Sequence, residues 1–126
     1  MYEGRKYLMN CFPYSHISVL VMPTDFCNMN CVYCFNGRKT CKEKKVISDE
    51  TLKKIFQIVI PFYSEVKFIW HGGEPLSMGM EFYERVVELQ NEFNINNISI
   101  QNTVQTNLTL LDKKFADFLV ENNFHV

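Results

Sequence analysis

The 126-residue chain has no long apolar run. Its longest, Ile17 to Met22, is six residues, whereas a membrane-crossing helix needs about 20. The opening residues, MYEGRKYLMN, lack the apolar stretch of a secretory leader. Charge of one sign is missing too: the net value of −1 offers no global attraction to nucleic acid or to an acidic lipid surface. There is no internal repeat and no low-complexity segment. These absences exclude membrane and nucleic-acid partners and point to a cytoplasmic chain. In that reducing compartment, clustered cysteines are more often metal ligands or catalytic groups than disulfide partners. What is present suits one packed domain at most, since 47% of residues are hydrophobic and 14% aromatic.

Apolar runs alternate with helical patterns. "ISVLVMP" (17–23) reads as a buried strand closed by Pro23. After a loop and a lysine-rich stretch, Ser48 caps a helix with Asp49 and Glu50 in its first turn, Leu52, Ile55, Phe56 and Val59 on one face, and Pro61 as its stop. "VKFIW" (66–70) is a second strand. A helix from Met80 to Phe93 follows, then a third strand within 97–107. A third helix is capped by Asp112 and ends near Asn122. Phe124 to Val126 begins a fourth strand. Repeated βαβ units demand parallel strands with right-handed crossovers. The fold class is therefore α/β, with three βα units and the start of a fourth parallel strand. With no helix to cover that last strand, the chain reads as the opening piece of a longer protein.

Three polar clusters follow three strands in turn: Cys27, Cys31 and Cys34 after the first, "HGGEP" (71–75) after the second, and Gln105 to Asn107 after the third. Ligand sites of parallel α/β folds gather at the carboxyl ends of the strands. Three cysteines within eight positions, among Asn28, Asn30 and Asn36, make turn chemistry rather than a core stripe. A disulfide leaves one thiol unpaired. Structural zinc wants four ligands, so Cys41 or His16 must then complete the set, and there is no second knuckle. The spacing C-x3-C-x2-C suits one face of an iron–sulfur cube, where each thiolate holds a different iron and one iron is left open. Cys11 and Cys41 fall outside the triad and read as unligated thiols. His16 reads as a loop histidine.

"CNMNCVYC", with an aromatic residue before its last cysteine, resembles the signature of radical S-adenosylmethionine enzymes. "HGGEPL" is similar to the glycine–glutamate motif of that superfamily. Together with "PTDFCNMNCVYC" and "QTNLTLL", it resembles the branch that modifies peptides and proteins, which includes anaerobic sulfatase-maturing enzymes. The resemblance implies the N-terminal half of a partial (β/α)6 TIM-like barrel, with residues 1–126 as the N-terminal portion of a radical SAM core. It implies a [4Fe–4S] cluster on Cys27, Cys31 and Cys34, and S-adenosylmethionine chelating the open iron. It also implies a peptide or protein substrate and a low-potential electron donor of flavodoxin or ferredoxin type.

Tyr33 matches the position that contacts the adenine end of the cofactor. Gly72 and Gly73 match the glycines that meet its methionine amino group. Glu74 either takes up positive charge there or braces the turn, and Asn107 either sits where relatives approach ribose or substrate or merely turns the chain out of the strand. His71 receives no role, and no catalytic residue is named. Two rivals remain: a radical SAM enzyme of small-molecule or cofactor biosynthesis, and an inactive iron–sulfur-binding fragment. In a half-barrel, Val19, Val21, Phe68 and Ile100 are expected to point inward and lose the opposite wall. Open strand edges are then expected to recruit other chains.

Overall fold

The computed structural model describes residues 15–36 and 44–126. Cys11, Cys41 and most of the lysine-rich loop that begins at Arg38 lie outside the described residues. Four strands, β1 (His16–Thr24), β2 (Glu65–Gly72), β3 (Ser99–Val104) and β4 (Phe124–His125), form one sheet in the order β1-β2-β3-β4. Every pairing between them is parallel. Helices α1 (Asp49–Val59), α2 (Met80–Phe93) and α3 (Lys113–Glu121) connect them. This is the α/β arrangement of three βα units and a fourth strand that the sequence implies.

Local chemistry explains the boundaries. The Ser48 side chain accepts a hydrogen bond from the Thr51 amide, and Asp112 accepts one from that of Phe115, so α1 and α3 each start on a side-chain cap. Pro61 does not end α1 outright. The chain tightens into a 3-10 turn, Ile60–Phe62, because proline at an early position of a new turn forfeits no amide bond that the turn needs. Gly79, at φ 82°, enters α2 in a backbone conformation open to glycine.

The core lies between the sheet and the helices. Val66, Phe68 and Trp70 of β2 are fully buried, and the Phe68 ring meets Phe56 of α1 edge-on at 5.0 Å. Register pairs Val19 with Phe68, Val21 with Trp70 and Ile100 with Val66. Paired residues share a face, so all of these point to the helices. The expectation that Val19, Val21, Phe68 and Ile100 face the barrel interior is therefore corrected. Alternation along a strand gives only two faces, and the helices cover the more apolar one. The uncovered face carries Ser18, Lys67, Gln101 and Thr103, with Gln101 Nε2 donating to Glu65 Oε1 at 2.8 Å. Its large apolar members include Leu20, 59% exposed, and Met22, 53% exposed.

One polar network lies within the core. Asn102 Oδ1 accepts from Trp70 Nε1 at 3.0 Å and from Gln90 Nε2 at 2.9 Å, and Asn102 Nδ2 donates to Gln90 Oε1 at 2.8 Å. With its partners made, this buried amide pair ties α2 to β3 beneath the indole.

Candidate functional site

Beyond Val21 the pairing of β1 with β2 slips: Thr24 lies opposite Gly72 instead of continuing the register. The chain then keeps hydrogen bonding to the end of β2 while no longer a strand. Gly73 N donates to Thr24 O at 3.0 Å and Glu74 N to Phe26 O at 2.7 Å. Thr24, 3% exposed, braces the exit: its hydroxyl donates to Lys45 O and accepts from Phe26 N. The cysteine loop is thus laid directly against the glycine turn.

That contact dictates the glycines. A Cβ on Gly73 would stand 2.0 Å from Phe26 O, and one on Gly72 would stand 2.8 Å from Thr24 O. Gly72 also has φ 117°, a conformation that side chains rarely adopt. The immediate reason for glycine here is the backbone of the cysteine loop. Asn36 closes the loop at its far end, donating from Nδ2 to Gly72 O at 2.6 Å.

Glu74 is 1% exposed, with both carboxylate oxygens occupied. Oε1 accepts from Leu76 N at 2.9 Å and from Thr106 Oγ1 at 2.6 Å; Oε2 accepts from Asn107 N at 2.8 Å. Of the two roles expected for this residue, bracing the turn is the one its bonds display. Three donors meet the cost of burying a carboxylate and fasten the end of β3 to the turn after β2. Nearby, Tyr83 is fully buried and has no hydrogen-bond partner for its hydroxyl among the described residues. Burial first, and then the Glu74 charge, push its pKa far above the usual phenol value.

Two adjoining hollows result. The smaller is walled by Cys27, Cys31, Cys34, Asn36, Gly72 and Gly73. The larger, about 680 Å³ and open to solvent, is bounded by Cys27, Cys31, Tyr33, Gly73, Glu74, Gln105, Thr106 and Asn107. They share Cys27, Met29, Cys31 and Gly73. The larger volume lies within the ~300–1,000 Å³ typical of small-molecule sites. All three thiols are free, Cys27 and Cys34 exposed and Cys31 half-buried.

Cys27, Cys31 and Cys34 line one hollow, which suits an iron–sulfur cube that takes each thiolate on a separate iron. His16 begins β1, about 26 Å along an extended strand from this rim, which removes it as a ligand.

A family model described as the Radical SAM superfamily matches residues 21–126. The chain belongs to that superfamily. Among curated relatives of this radical SAM chain, a cysteine-type anaerobic sulfatase-maturating enzyme of Clostridium perfringens (strain 13 / Type A) is 38% identical over 116 residues, covering 87% of the chain and 31% of the relative. A serine-type anaerobic sulfatase-maturating enzyme of Bacteroides thetaiotaomicron is 39% identical over 115 residues, covering 86% of the chain and 28% of the relative. A solved structure described as native anSMEcpe with bound AdoMet and Kp18Cys peptide superposes with a TM-score of 0.79 at 37% identity, covering 86% of the chain and 30% of its counterpart. The radical SAM chain thus spans about 31% of the length of the curated relatives it matches first.

Cys27, Cys31, Cys34, Tyr33, Gly72, Gly73, Glu74 and Asn107 all meet at this rim, as the sequence implied. Sequence reasoning missed Thr24, Asn28, Asn36 and Thr109. Short polar residues beside a cysteine turn carry no pattern that separates a brace from a solvated loop.

Proposed function

We propose that residues 1–126 furnish the cofactor-binding portion of a radical SAM core. In this reading Cys27, Cys31 and Cys34 hold a [4Fe–4S] cluster in the smaller hollow, and S-adenosylmethionine occupies the larger. The cluster, when bound and reduced, supplies the electron that cleaves S-adenosylmethionine to methionine and a 5′-deoxyadenosyl radical able to abstract hydrogen. The single observation that supports it best is the sharing of Cys27, Met29, Cys31 and Gly73 by two adjoining hollows. A cluster with an open iron must stand beside the molecule that chelates it.

The chain's own residues then divide the work. Gly72 and Gly73 let the cysteine loop lie against β2 and leave backbone, not side chains, facing the cofactor. Tyr33, 86% exposed, offers a ring to the adenine. Glu74 acts through the turn it braces, and Asn107 borders the same cleft. Likeness to the sulfatase-maturating enzymes supports a peptide or protein substrate, on which hydrogen is taken from a cysteine- or serine-type target. A flavodoxin- or ferredoxin-type donor in the cytoplasm supplies the electron.

Anaerobic reconstitution with iron and sulfide tests the ligand assignment. Wild-type protein should hold a brown cluster, and Cys27→Ala, Cys31→Ala and Cys34→Ala should each abolish loading. Cys11→Ala and Cys41→Ala should leave iron content unchanged. Metal lost with Cys41→Ala but kept with Cys34→Ala would overturn the assignment.

A further inference from the structure

Beside Cys27, three side chains from two loops close a ring in which each donates to the next. Asn28 Nδ2 donates to Thr109 Oγ1 at 2.8 Å, Thr109 Oγ1 to Asn107 Oδ1 at 2.7 Å, and Asn107 Nδ2 to Asn28 Oδ1 at 3.0 Å. The direction of the ring is fixed by the backbone. Thr109 N also donates to Asn107 Oδ1, at 3.0 Å, and an amide N–H can only donate. Oδ1 must therefore face Thr109, which turns Nδ2 of Asn107 the other way. One of its two hydrogens serves Asn28; Cys27 Sγ lies 4.0 Å from the same nitrogen. On its other side Cys27 Sγ receives the Met29 amide at 3.4 Å.

The backbone presents Asn107 for this purpose. Its own N–H is anchored on Glu74, and Leu108, at φ 66°, folds the chain back so that Thr109 reaches Asn107. A ring whose members all donate in one sense polarises itself and holds its amides more firmly than isolated pairs do.

We propose that Asn107 is a positioning residue for Cys27, held by Asn28 and Thr109 so that its spare N–H points at the sulfur, and that it raises the reduction potential of the cluster this cysteine ligates. Reduction adds negative charge that is shared by the thiolate sulfurs, and a donor to such a sulfur stabilises the reduced form. The inference rests on the cluster reading above. It differs from a contact with ribose or substrate because it acts before either is bound.

The test is a potentiometric titration of the reconstituted protein without S-adenosylmethionine, followed by the electron paramagnetic resonance signal of the reduced cluster. Asn107→Ala should keep its iron and show a more negative midpoint, with the reduced-to-oxidised ratio at fixed potential falling roughly threefold or more, the equivalent of one net hydrogen bond. Thr109→Val keeps the backbone donor but removes the hydroxyl, and should shift the ratio the same way by less. Unchanged midpoints in both variants would overturn the inference while leaving the cluster assignment intact. If Asn107→Ala loses iron, Thr109→Val decides: an unchanged midpoint there overturns the inference. Wild-type protein that retains no cluster would instead defeat the reading on which it rests.

Discussion

Gly73 is the residue on which the site turns. Its missing side chain gives up its space to the Phe26 carbonyl, and rigid backbone on that side cannot yield as a flexible side chain does. Gly73→Ala should therefore cost ~3 kcal/mol or more, at the upper end of overpacking, and loosen the cysteine loop from β2. Urea denaturation checks the first effect and weaker iron retention the second; a variant as stable as wild type would mean that the loop does not rest on this turn. The sequence singled out Gly73 for backbone access by a cofactor, and its contact with Phe26 is a separate reason for glycine there. That contact depends on a register slip at Thr24 that no local pattern announces.

Between elements, α1 and α2 are joined at their surface by Asp49, which Arg85 Nε approaches at 2.9 Å and Lys53 at 3.1 Å. The Arg85 hydrogen bond first, and the Lys53 bond second, hold the Asp49 carboxyl well below its ordinary 3.8, at about 2. A depressed carboxyl pKa stabilises the folded chain above the unfolded value and ceases to do so as pH falls through the folded one. This link should thus be fully present above about pH 4 and lost between about pH 4 and 2. Arg85→Gln should flatten that part of the stability profile, with a smaller difference at high salt because the pair is half-exposed. Equal acid sensitivity in wild type and variant would contradict it. The helices themselves were legible, since Ser48 and Asp112 cap where their side chains promise and the 3.6-residue spacing picks out Leu52, Phe56 and Val59. Less legible was which face of each strand the helices cover. Val19 and Phe68 are apolar on either assumption, and only the polar neighbours Lys67 and Gln101 reveal the open side.

At the scale of the molecule, a parallel sheet collects the ends of β1, β2 and β3 on one rim, which is why residues as distant as Cys27 and Asn107 share a cleft. That much followed from the order of apolar runs, because repeated crossovers of one hand leave little freedom of topology. The uncovered face mixes polar side chains with Leu20, Met22 and Ile69, so leaving it open forfeits less burial than the expectation of four inward apolar side chains implied. The central proposal is that Cys27, Cys31 and Cys34 leave one iron of a cluster free beside the cleft proposed for S-adenosylmethionine. Electron paramagnetic resonance of the reduced, reconstituted protein, recorded with and without S-adenosylmethionine, tests it most directly. The account predicts a cluster signal whose shape changes on adding S-adenosylmethionine, and that is absent from Cys34→Ala. A signal indifferent to S-adenosylmethionine, or a colourless protein that retains zinc instead of iron, would contradict it.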